Sequence, residues 1–286
     1  MLSYRHGFHA GNHADVLKHI VQMLVTEKLL QKSKPFIYID THAGAGLYSL
    51  NGEEALKTRE FETGISKITH QQQNSVLDDY VNLTQEYMAN QQYPGSPLIA
   101  ASLLRTQDKI VLMEYHNNEV VNLRNNLRGL SFDAKAAIHH RDGFEGLLAL
   151  LPPNPARGMV LIDPPYEVHT EYDQVLSTVK QALKKWSTGV YIIWYPLLSA
   201  RAGKKSGMSE SLCVQLAQLN CKNLLDVRMQ IAANTEDAGM YGSGLAILNA
   251  PWQLDDAISQ MLPEINKLLS NDDFQATSDC TWRKSE

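Results

Sequence analysis

Met159-Val160-Leu161-Ile162-Asp163-Pro164-Pro165-Tyr166 is the stretch on which the fold turns. Four apolar residues in a row read as a strand covered on both faces, the mark of a parallel sheet under helices. An acid and two prolines stop it. Proline gives a ladder no N–H and holds φ near about −65°. The result is a rigid lip at the carboxyl end of a strand, the edge where open α/β sheets take ligands.

The same strand signal recurs on either side. Phe36-Ile37-Tyr38-Ile39-Asp40 reads as a short buried strand, and 110–114, 136–140 and 190–194 as three more. Helical periodicity covers 14–31, 117–128 and 173–186, the first with Leu17, Ile20, Leu24 and Val25 on one stripe. Strands alternating with helices predict a parallel sheet with helices on both faces. The rhythm breaks at 224–231 and 244–248, two strand-like runs joined by turn-rich sequence, which predict an antiparallel hairpin at the sheet edge. The expected fold is therefore α/β, a class I (Rossmann-like) methyltransferase sheet of seven mostly parallel strands with a terminal antiparallel hairpin. Residues 48–95 fit no strand rhythm. Polar helical patterns at 58–70 and 76–90 flank a Gln-rich turn at 71–73, so 48–95 is expected to be a helical insertion subdomain within a main domain of 1–47 and 96–286. The tail from Ser270 onward is polar and expected to be partly loose, with Trp282 as its one anchor.

With 286 residues, 44% hydrophobic and 20% charged, the chain has the composition of a globular protein with a large core. The formal charge of −5 leaves no global basic footprint, so a nucleic-acid contact would need a local patch. Three cysteines without CxxC spacing suggest neither a disulfide framework nor a zinc site. Without a leader-like start or an apolar span, the cytoplasm is the expected compartment and no membrane partner is expected.

The strand ends carry the chemistry. The first runs into Asp40-Thr41-His42-Ala43-Gly44-Ala45-Gly46, where Gly44 lets the backbone approach a ligand. A dinucleotide fingerprint would continue to a third glycine, but Ser49 stands there, and the next strand-terminal acid is Glu114; hydride transfer fits poorly. Glu114 is placed to accept both ribose hydroxyls of a nucleoside, and Asp142-Gly143 to meet an adenine amino group. Each alone also reads as a cap or a turn. Ser96-Pro97 reads as an N-cap followed by a first-turn proline. An exocyclic base amine is a poor nucleophile, because its lone pair is delocalised into the ring. It reacts only where fixed acceptors take its N–H bonds. The Asp163 carboxylate and the Pro164 carbonyl supply such acceptors, and Tyr166 a ring face to stack the base. The plain alternative is a strand-stopping turn. Tyr4, Arg5, His6, His9, His13, Lys18 and His19 put aromatic and basic groups around the first helix. They suit phosphate and base contacts better than a metal, since Gly11 separates His9 from His13 and no HExxH occurs; no metal is expected. Arg201, Lys204 and Lys205 form a second basic cluster, expected to be a solvated loop.

The opening, Tyr4-Arg5-His6-Gly7-Phe8-His9-Ala10-Gly11-Asn12-His13-Ala14-Asp15-Val16-Leu17-Lys18-His19, resembles that of the RlmJ-type 23S ribosomal RNA (adenine-N6) methyltransferases. Residues 40–46, 93–98 and 161–167 and Trp194-Tyr195-Pro196 are similar too. The resemblance implies S-adenosyl-L-methionine as cofactor and 23S rRNA as partner. It implies that His19, His42, Ser96, Glu114, Asp142, Gly143 and Asp163 hold or border the cofactor. It gives Asp163 the catalytic role and links Tyr4, His6 and Lys18 to the RNA. A DNA adenine methyltransferase is the alternative within the class, and a non-catalytic rRNA-binding protein is disfavoured by the intact acceptor set. No obligate protein partner is expected, and the chain is expected to act as a monomer.

Overall fold

The computed structural model describes residues 4–68, 76–128, 132–236 and 238–285. In chain order the strands are β1 (Ile37–Asp40), β2 (Leu47–Ser49), β3 (Gln92–Pro94), β4 (Lys109–Glu114), β5 (Lys135–His140), β6 (Gly158–Ile162), β7 (Val190–Leu198), β8 (Leu224–Gln230), β9 (Met240–Leu248) and β10 (Thr277–Lys284). The helices are α1 (His13–Leu30), α2 (Glu53–Thr58), α3 (Glu60–Thr63), α4 (Val76–Ala89), α5 (Ser96–Leu103), α6 (Asn117–Arg128), α7 (Gly143–Leu150), α8 (Thr170–Lys185), α9 (Met208–Ala217) and α10 (Leu254–Leu269).

Eight strands form one sheet in the order β10-β8-β9-β7-β6-β1-β4-β5. β5, β4, β1, β6 and β7 run parallel, whereas β9, β8 and β10 are added antiparallel. Every residue of β1 and β6 is buried, as their unbroken apolar runs require. The strand order reverses at β1 and β6, whose carboxyl ends lie side by side with Asp40 opposite Leu161. Such a switch point opens a crevice for a ligand.

The antiparallel hairpin is present, but it is not the edge. The tail from Ser270 makes β10, which pairs with β8 and is the eighth strand. Its buried fixings are polar. Trp282 Nε1 donates to Asp255 Oδ2 at 2.9 Å, and Arg283 meets the fully buried Asp226, which also holds Arg228 and accepts from the Tyr195 hydroxyl. An edge strand exposes every other side chain, so its sequence reads as a polar tail.

Helix α1 also departs from its reading. Fifteen of its 18 residues are buried, so it is no one-sided surface helix. It packs against α5, α10 and α4 and against β9. Its polar residues Asp15, Lys18, His19, Gln22 and Thr26 are buried with the rest.

Between β2 and β3 lie α2, α3, a 3-10 turn at Ile65–Lys67, and α4. The helix expected over 58–70 is broken at Gly64, where a Cβ would stand 2.1 Å from the Gly11 carbonyl oxygen. The Gln-rich turn at 71–73 lies outside the described residues. β2 and β3 pair antiparallel, Leu47 opposite Pro94 and Ser49 opposite Gln92, and bring the chain back beside β1.

Candidate active site

One cavity of about 300 Å³ opens on the carboxyl edge of the parallel strands. Glu114, Asp142, Gly143 and Phe144 line one part of it, and Tyr4, His6, Lys18, Asp163, Pro164 and Pro165 another. His19, His42, Gly44 and Ser96 also line it. Of the residues named from sequence for the cofactor, the chemistry and the RNA, Tyr166 is missing from its walls, and so are Arg5, His9 and His13 of the aromatic and basic group.

Two glycines shape the first part. Gly44 has φ +59°, and a Cβ there would lie 2.1 Å from the Tyr48 hydroxyl. A Cβ on Gly143 would lie 2.0 Å from the Thr41 carbonyl oxygen, so α7 can start this close to β1 only with glycine. The Glu114 carboxylate accepts from the Gly44 N–H at 2.7 Å and the His116 N–H at 2.6 Å. Both its oxygens are oriented, with lone pairs left over. Asp142 caps α7 by accepting from the Glu145 N–H at 2.9 Å. The cap reading and the cavity reading are thus compatible at this residue. His42 meets the edge of the Phe144 ring at 5.0 Å, and burial holds its imidazole down to about 4, so it is neutral at pH 7.

Ser96 is not an N-cap. Gly95 is, and Ser96 is the first residue of α5, with Pro97 next. The serine hydroxyl donates instead to Asp40 Oδ2 at 2.7 Å, beside the Tyr38 hydroxyl at 2.8 Å. The His42 N–H donates to Asp40 Oδ1. Asp40 is fully buried, and desolvation raises its carboxyl to about 6 despite these donors.

The second part is organised by charge. Lys18 Nζ is 2.6 Å from Asp163 Oδ2 and 2.8 Å from Asp15 Oδ1. Asp15 Oδ2 is 2.9 Å from His6 Nε2, and His6 Nδ1 is 2.9 Å from the Tyr4 hydroxyl. Burial opposes charge on both Asp15 and Lys18, and pairing outweighs it. Asp15 sits well below the usual carboxylate range and Lys18 above the usual ammonium value. His19 is held neutral by burial, at about 3, with Nδ1 2.7 Å from the Tyr93 hydroxyl. His9 and Asn12 both bind Glu60 of α3, and Arg5 binds Glu54 of α2, so the arm is seated on the helices between β2 and β3.

Tyr166 does not offer a stacking face here. It is 2% exposed, its ring packs on Tyr172 at 4.4 Å, and its hydroxyl donates to the Trp194 carbonyl at 2.9 Å. Its φ of +50° is left-handed, a strained conformation for tyrosine. That backbone turn drives the ring into the core and leaves Asp163-Pro164-Pro165 facing the cavity. Nor is Lys205 merely solvated: it donates to the Tyr166 carbonyl at 3.0 Å, across the turn. Asp15, Tyr93 and Lys205 are the participants not anticipated as such. Asp15 stood inside the quoted opening, but it lies in the first turn of α1 rather than at a strand end and gave no separate signal.

This sheet order, with its ligand edge at the reversal, is that of the class I methyltransferases. A family model described as "Ribosomal RNA large subunit methyltransferase D, RlmJ" matches residues 33–284. The ribosomal RNA large subunit methyltransferase J of Escherichia coli (strain K12) is 41% identical over 273 residues, covering 94% of each chain. Its counterpart in Haemophilus influenzae is 39% identical over 276 residues, again covering 94% of each. A crystal structure of a protein from Legionella pneumophila str. Philadelphia 1 superposes with a TM-score of 0.84 at 30% identity, covering 96% of this chain and 98% of that one. The chain belongs to the ribosomal RNA large subunit methyltransferase J family.

Proposed function

We propose that this protein transfers a methyl group from S-adenosyl-L-methionine to N6 of an adenine in 23S ribosomal RNA. The observation that carries the reading is the single cavity that joins Glu114 and Asp142 to Asp163 and Pro164. Family membership supplies the methyl-transfer chemistry and favours RNA over DNA. The donor set fits the cofactor. Gly44 and Gly143 clear backbone on one wall, and Glu114 keeps free lone pairs for the two ribose hydroxyls. Asp142 can accept from the adenine amino group, and His19, His42 and Ser96 border the same space. When bound, the cofactor supplies a methyl on a sulfonium.

The chain's own part is to hold the amine. Asp163 and the Pro164 carbonyl accept the two N–H bonds, which keeps the nitrogen lone pair aimed at the methyl. Preorganised acceptors strengthen as positive charge grows on that nitrogen. Tyr4, His6 and Lys18 form the wall against which an extruded RNA base would lie. Residues 48–95 serve on this reading as a subdomain that seats the N-terminal arm. The protein works as a monomer in the cytoplasm. Among the described residues no helix is long and apolar enough to cross a membrane.

The test is incubation with labelled cofactor and either 23S rRNA transcript or adenine-containing DNA, followed by nucleoside analysis. N6-methyladenosine should appear in the RNA alone, and Asp163→Ala should cut the rate at least about a hundredfold. Methylated DNA without methylated RNA would overturn the substrate, and Asp163→Ala within tenfold of wild type would overturn the acceptor role.

A further inference from the structure

Asp15 has no part in the reading above, yet it joins everything on the substrate side. Its side chain is 1% exposed. Oδ2 accepts from the Gly11 N–H at 2.9 Å and meets His6 Nε2 at 2.9 Å. Oδ1 pairs with Lys18 Nζ at 2.8 Å, and the same ammonium reaches Asp163 Oδ2 at 2.6 Å. Lys18 is 5% exposed and Asp163 16%, so water does little to screen the group. Two carboxylates thus share one ammonium.

The sharing has a chemical consequence. An ammonium paired with Asp163 alone would draw on the lone pairs that the substrate amine needs. A second carboxylate on the far side of the ammonium draws part of that charge away. Asp15, Lys18 and Asp163 together carry one net negative charge, facing the place where the amine becomes cationic. The same Asp15 fixes His6, and His6 meets Tyr4, so arm and acid are set by one group. We infer that Asp15 is a positioning residue for methyl transfer: it shares Lys18 with Asp163, so that Asp163 remains a strong acceptor, and it locks His6 and Tyr4 to the same wall. The inference rests on the amine-methylation reading.

Asp15 also occupies the first turn of α1, where an acid stabilises the helix whatever the chemistry. A purely helical role would lower stability and leave turnover at saturation alone. The experiment is a cycle of wild type, Asp15→Asn, Lys18→Met and the double variant. Each is assayed on 23S rRNA transcript well below its melting temperature, with cofactor Kd from calorimetry. Asp15→Asn should lower kcat at least thirtyfold, with RNA KM and cofactor Kd within threefold of wild type. In the Lys18→Met background the same change should cost clearly less than in wild type, since only the hold of Asp15 on His6 and Tyr4 is left to lose. Unchanged kcat, a cofactor Kd that weakens in step with kcat, or losses that multiply independently would overturn the inference. Asp15→Glu keeps the charge and gives a reading that needs no neutral variant to fold. Its extra methylene moves the shared ammonium, so kcat should fall more than threefold at unchanged KM, and a wild-type kcat there would also overturn it. Wild type that methylates no RNA would instead refute the underlying reading, and the role of Asp15 with it.

Discussion

Replacing Lys18 by methionine keeps the unbranched apolar stem of the side chain and deletes the cation between Asp15 and Asp163. Asp15 stays 1% exposed, with the Gly11 N–H and His6 as its remaining partners. Removing one member of a buried ion pair typically costs about 3–5 kcal/mol, because a desolvated charge is left behind. For a chain of this size that corresponds to a fall in Tm of roughly 6–20 °C. The pH dependence has a definite sign. Asp15 is held well below its ordinary value, so its stabilisation is present above about pH 4 and is lost as pH falls through the folded value. Lys18 lies above its ordinary value, so its share is present below about pH 10 and is lost only above it. The gap between wild type and variant should therefore be flat from about pH 5 to 9 and narrow on further acidification. Calorimetric melts across that range measure it. A Tm within 2 °C of wild type at pH 7, or a gap that widens in acid, would refute the burial argument.

Three further outcomes follow from the site. Glu114→Ala should weaken cofactor binding at least about tenfold by calorimetry, since charge-assisted hydrogen bonds contribute roughly 1.5–3 kcal/mol each; an unchanged Kd removes Glu114 from the site. Tyr166→Phe should destabilise the protein by about 1–3 kcal/mol, because the buried Trp194 carbonyl loses its donor, whereas a ring used only for stacking would leave the melt unmoved. Asp40 titrates near 6 when folded, above its ordinary value. The folded state then binds the extra proton, so stability should fall as pH rises from about 4 to 6, by on the order of 3 kcal/mol. Asp40→Asn should flatten that slope, and an equally steep slope in the variant would show that other groups cause it.

The sheet was legible because its central strands obey a simple rule: buried on both faces, they must be apolar throughout. The 117–128 helix falls where its periodicity puts it, and of the strand-end acids Glu114, Asp142 and Asp163 line one cavity, while Asp40 is fully buried. What was not legible has physical reasons. α1 carries Asp15, Lys18, Gln22 and Thr26 about one turn apart, a spacing that signals a wet face in an ordinary helix. Here that row is buried, and Lys18 from it lines the cavity. Ser96 has the residue type of a cap, but the helix is entered one residue earlier, at Gly95, and the Ser96 hydroxyl donates to the buried Asp40 carboxylate. Tyr166 has the residue type of a platform, but its left-handed backbone turns the ring inward, and no sequence pattern carries a φ sign for tyrosine. β10 looks like a loose tail because half of an edge strand faces water.

The pairing of Lys18 with Asp163 spans 145 positions of chain. During synthesis the lysine is made early and waits, beside Asp15, until β6 and its lip have left the ribosome. At about 5–20 residues per second that wait is on the order of ten seconds. Throughout it α1 lacks β9 and α10, two of the elements it packs against in the finished fold. The helix has α4 and α5 as early neighbours but meets β9 and α10 only later, so nascent chains that stop short of β6 should leave that face of α1 bare and be the ones that need a chaperone's shelter.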